Sequence, residues 1–159
     1  MRKDGLECSV LLMLLLLILS ARSVFAHCEI PCGIYDDSMR IDMLAEHITT
    51  IEKSMMMIVE LSQQKEVNHN QLVRWVTNKE NHAQYLQDIV CQYFMTQRIK
   101  PTEEEDGDHY ITYVKQLTLL HQMLFYAMKA KQTTDLTNVK QLRSLLEEFR
   151  TIYFGSEHK

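Results

Sequence analysis

Residues 41–58 read IDMLAEHITTIEKSMMMI, and the spacing of their apolar side chains decides the fold. Ile41, Leu44, Ile48, Ile51, Met55 and Ile58 recur at intervals of three and four, which puts them on one stripe of an α-helix. A half-buried strand would need alternation at every second residue, and this stretch has none. Just upstream, Asp36-Asp37-Ser38 offers side-chain oxygens that can accept the unpaired N–H groups of a first turn. The pattern predicts a helix running to about Gln63. Met55-Met56-Met57 lies on it, and these unbranched thioethers read as adaptable core filling rather than as a metal site.

Downstream the same period returns three times. Val67-Asn68-His69-Asn70 interrupts it, and a second helix is expected over 71–99, with Leu72, Val76, Ala83, Leu86, Val90 and Tyr93 on one stripe and Cys91 beside it as a small semi-buried residue. Pro101 ends that helix, and Thr102 to Asp108, with Glu103-Glu104-Glu105-Asp106, reads as a solvated acidic loop. A third helix is expected over 109–131, carrying Val114, Leu117, Leu120, Leu124 and Ala127. Thr133-Thr134-Asp135 breaks the chain, and a fourth helix over 136–154 carries Leu136, Val139, Leu142, Leu145, Phe149 and Ile152 before Gly155 closes it. Four amphipathic helices with short connections predict an all-α protein, an up-down four-helix bundle over 36–159.

The 159 residues carry 17 Lys and Arg against 21 Asp and Glu, a net charge of −4. That balance gives no reason to expect nucleic acid or an anionic membrane as partner. Residues 1–26 divide as a secretory signal does: Arg2 and Lys3 near the start, the apolar run Val10 to Leu19, then Val24-Phe25-Ala26 with small residues at the last and third-last positions. The apolar run falls well short of the roughly 20 residues a membrane span needs, so the segment is expected to be removed, leaving no membrane anchor. Secretion, a lumenal location, or an organelle reached through the secretory route would follow.

Cutting after Ala26 makes His27 the first residue of HCEIPCGIY, residues 27–35, an irregular stretch dense in metal donors. The freed α-amine has an ordinary pKa of about 7.7–8.0 and can coordinate near neutral pH. Cys28 and Cys32 bind as thiolates. Amine, Cys28 amide nitrogen and Cys28 sulfur can close two small chelate rings, and Cys32 can complete a plane of two nitrogens and two sulfurs. A planar N,S set suits Ni(II) or Cu(II) better than Zn(II), and its anionic donors make Ni(III) accessible. The His27 imidazole can swing over one face as an axial ligand, leaving the other open to a small substrate. The same Cys-x-x-x-Cys spacing in a secreted chain also fits a Cys28–Cys32 disulfide in a helical binding protein, and the donor set also fits a protein that sequesters nickel or copper without turnover. The remaining histidines, His47, His69, His82, His109, His121 and His158, show no metal-ligand spacing.

His27, Cys28, Pro31, Cys32, Gly33 and Tyr35 together, continued by Asp36, resemble the nickel hook of the nickel superoxide dismutases. The resemblance implies a homohexameric four-helix bundle that converts superoxide to dioxygen and hydrogen peroxide, with one nickel ion per subunit. It further implies that the ligands are the amine and imidazole of His27, the amide and thiolate of Cys28 and the thiolate of Cys32. Tyr35 would line the substrate pocket, and the Ile30–Pro31 peptide would be cis. Glu29 stands where the family commonly has Asp. Asp42 is the nearest match to a family Glu that holds the axial imidazole, and His82 or Asn78 occupies the place of its Arg partner in the second helix.

Overall fold

The computed structural model describes Met13 and residues 36–102 and 107–155, and every regular element among them is helical. Helix α1 spans Asp37–Ser62, α2 His69–Asp88 with a π-helical continuation Ile89–Arg98, α3 Asp108–Gln132 and α4 Leu136–Phe154. α1 packs against α2 and α4, and α3 against the same two, which is the cyclic order of an up-down four-helix bundle. Among the described residues no helix is long and apolar enough to cross a membrane.

The caps expected at Asp36 and Asp135 are made, and Asn68, read in sequence only as part of a break, supplies another. The Asp36 carboxylate accepts from Met39 N at 2.8 Å and from Ser38 Oγ at 2.7 Å. Asn68 accepts from Gln71 N at 3.1 Å, which starts α2 two residues earlier than its apolar stripe suggests. Asp135 accepts from Thr137 N at 2.9 Å, and Gly155, at φ 75°, ends α4 in the left-handed region where a Cβ would be strained.

Ile41, Leu44, Ile48, Ile51 and Met55 of α1 are all fully buried, each contributing roughly 1.5–3 kcal/mol of apolar burial. Met56, next to Met55, is half exposed. In α2 the expected stripe holds at Ala83 and Leu86 but not at Val76, which is exposed. In α3 the buried path runs through Leu120, Met123, Ala127 and Ala130, and Val114 lies outside it. Cys91 is exposed rather than semi-buried. At one end of the bundle the aromatic rings lock edge to face: Phe94 meets Phe149 at 5.1 Å and Tyr93 at 5.2 Å between centroids. Near the other end of α3, the buried Lys79 ammonium donates to Ala130 O at 2.7 Å and to Lys131 O, filling carbonyls that a helix C-terminus leaves open.

The continuation of α2 departs from expectation. A single α-helix over 71–99 would turn Tyr93 and Arg98, five residues apart, toward different directions. The π register brings residues five apart together, and the i→i−5 pattern is visible where Ile99 N donates to Phe94 O at 2.9 Å and Thr96 Oγ1 to Cys91 O at 2.8 Å. Tyr93 and Phe94 are both fully buried.

Candidate metal centre and its surroundings

Of the candidate site residues, His27, Cys28, Glu29, Cys32 and Tyr35 lie outside the described residues, as does the expected cis peptide at Ile30–Pro31. Asp42 lies within them. The described residues resume at Asp36 and Asp37, which follow Tyr35 directly in sequence.

Asp37 is tied to both neighbouring parts of the bundle by several hydrogen bonds. Asp37, the first residue of α1, accepts from Tyr153 Oη of α4 at 2.6 Å, from Arg98 Nε at 2.9 Å and from Tyr93 Oη. Arg98 Nη2 also donates to Tyr93 Oη at 2.9 Å. Partial burial pushes the Asp37 carboxyl upward, but the Tyr153 and Tyr93 hydrogen bonds and the Arg98 charge outweigh it and hold the group below the usual carboxylate range. Desolvation, reinforced by the same carboxylate, raises the Tyr93 phenol above its ordinary range and the Tyr153 phenol well above it, so both remain donors.

Beside this cluster an open cleft of about 490 Å³ is lined by Asp36, Asp37, Ser38, Asp42, Arg150 and Phe154. Asp42 is largely exposed in it and accepts from Arg150 Nη2 at 2.5 Å. Thus the described cation partner of Asp42 comes from α4. The second helix presents His82 instead to His47 of α1, with the two Nδ1 atoms 3.0 Å apart. Asn78 is engaged elsewhere, donating to Ser54 Oγ at 3.0 Å.

The sequence offered no signal for these pairings. Arg150 and Asp42 lie 108 positions apart, and His47 and His82 lie 35 apart on different helices. Tyr93 and Arg98 share a face only because of the π register.

An imidazole, two thiols and a backbone amide nitrogen form a donor set whose chemistry suits nickel. Among the described residues no group of three or more His, Cys, Asp or Glu could hold a metal ion. The model of the family described as nickel-containing superoxide dismutase matches residues 22–157, covering the hook segment and nearly all of the bundle. No curated protein and no solved structure matches the chain. Taken with the all-helical bundle, that match makes this chain a member of the nickel-containing superoxide dismutase family, an oxidoreductase that acts on superoxide with a nickel cofactor.

Proposed function

We propose that residues 1–26 are a secretory signal, that its removal frees the His27 amine, and that nickel is then held by His27, Cys28 and Cys32, with Tyr35 beside the open substrate face. The observation that carries this reading is the span of the family match, which begins at residue 22 and runs through positions 27–35. Nickel held by the thiolates of Cys28 and Cys32 and by amine and amide nitrogens would supply a Ni(II)/Ni(III) couple for oxidising one superoxide to dioxygen and reducing another, with two protons, to hydrogen peroxide. The chain's own contribution is positional. Asp37 ties the root of the hook to two other parts of the bundle, and the Asp42–Arg150 pair offers a fixed carboxylate in the adjoining cleft, suited to accept from the His27 imidazole. Glu29 is placed in the same supporting role from within the hook.

Assembly as a homohexamer belongs to the same proposal. Val73, Ile111 and Phe125 are exposed apolar side chains of the bundle that further copies would cover, and a neighbouring surface would screen a metal held by residues 27–35. Secretory delivery follows from residues 1–26.

The test compares nickel-loaded chains, prepared under reducing conditions, that begin at His27 or carry one extra residue before it. Superoxide disproportionation by the first alone supports a ligating amine and signal cleavage as the activating step. Nickel bound without turnover in both would replace catalysis by sequestration. A metal-free native protein with a Cys28–Cys32 disulfide would favour a secreted binding protein.

A further inference from the structure

We propose that His47 and His82 form a second metal site, built from ligands other than those of residues 27–35, which takes one late divalent transition-metal ion through the two Nδ1 nitrogens, with water completing the coordination shell.

The two imidazoles come from helices that pack against each other, and they converge. Their Nδ1 atoms are 3.0 Å apart, their centroids 5.0 Å apart and their planes 72° apart. Two nitrogens bound at about 2.0–2.1 Å to one ion lie about 2.9 Å apart at a right angle and about 3.3 Å apart at the tetrahedral angle. The observed separation falls between these limits, so rotation of the rings, without movement of either helix, aims both lone pairs at a common point.

The surroundings favour a cation there. Burial, reinforced by the neighbouring His82, holds His47 below the ordinary histidine range, which favours the neutral ring that a metal ion needs. Glu46, beside His47, adds a negative field. The Tyr85 ring packs 5.7 Å from each imidazole, walling one side while both histidines keep partial access to solvent. In the metal-free pair one Nδ1 carries the shared hydrogen; on binding that hydrogen moves to Nε2 of the same ring, so two neutral imidazoles take up the ion with no net proton release. With two neutral nitrogen ligands and no thiolate, the order of affinity among divalent ions places copper(II) first and nickel(II) behind it.

The probe is copper(II) alone, added to the chain from residue 27 carrying His27→Ala, Cys28→Ser and Cys32→Ser, which removes the hook's side-chain donors. One equivalent should bind with an electron paramagnetic resonance signal showing coupling to two nitrogens. Adding His82→Gln or His47→Gln, which keep a polar side chain at the helix contact, should weaken binding at least about tenfold and remove the two-nitrogen pattern, with the far-ultraviolet helical signal unchanged. Equal affinity in the parent and both glutamine variants, or no two-nitrogen signal in the parent, would overturn the proposal and leave a hydrogen-bonded pair. Neither result bears on the hook, because its side-chain donors are absent from every chain compared and the amine and amide nitrogens that remain are common to all of them. Only the difference between parent and glutamine variants reports on His47 and His82.

Discussion

Tyr153, near the end of α4, donates a 2.6 Å hydrogen bond to Asp37, the first residue of α1. The contact joins positions 116 apart in sequence, and it fastens the first residue of α1, two positions after residue 35, to the end of α4.

Replacing Tyr153 by Phe removes that donor while keeping the ring against Phe149. The expected cost is about 1.5–3 kcal/mol, the usual range for a hydrogen bond to a charged group, read as a lower urea midpoint. Asp37 has a folded pKa below its ordinary value, so its contribution is present above that ordinary value and fades as pH falls through the folded one. The difference between parent and Tyr153→Phe should therefore shrink in strong acid. An equal difference at pH 7 and pH 2 would contradict the assignment.

His47 titrates in a separate window. Its folded pKa is lowered, so the unfolded chain takes up the proton first, and stability is lost as pH falls below about 6.5. Urea midpoints of the parent should drop between pH 7 and pH 5 more than those of His47→Gln. Parallel pH profiles for the two proteins would show that this histidine is not responsible.

Lys79→Met retains the buried stem and deletes the ammonium that fills the α3 carbonyls of Ala130 and Lys131. Those acceptors lose their charged partner, and a loss of about 1–3 kcal/mol is expected. Thermal unfolding of the metal-free chain checks this directly, and a variant as stable as the parent would deny Lys79 its capping role.

Asp42→Ala separates positioning from stability. The exposed pair with Arg150 contributes about 0.2–1 kcal/mol, so the unfolding midpoint should barely move. If Asp42 orients the His27 imidazole, the oxidised nickel signal in electron paramagnetic resonance changes shape all the same. An unaltered signal would remove Asp42 from the site.

Removing nickel with a strong chelator should leave the far-ultraviolet helical spectrum intact. The core is built by the helices themselves, from Ile41, Leu44, Ile48, Leu86, Phe94, Leu120, Leu142 and Phe149 among others, and no metal is needed to bury them. Loss of helix on chelation would instead indicate folding coupled to the metal, as in small zinc domains.

The sequence by itself determined four helices, their breaks, the caps at Asp36 and Asp135, the buried face of α1 and the donor-rich segment 27–35. These are local properties: a period of 3.6, a side chain within reach of the next turn, and donors adjacent along the chain. Its stripes for α2 and α3 were less secure at Val76 and Val114, because an apolar residue on a helix is buried only where a neighbouring helix lies over it. Tertiary structure decided the rest. The π register set Tyr93 and Arg98 on Asp37, the docking of α4 on α1 gave Asp42 its Arg150, and the packing of α1 on α2 brought His47 to His82. Each of these contacts depends on the angle and register between elements far apart in the chain, and periodicity within one helix carries no information about either.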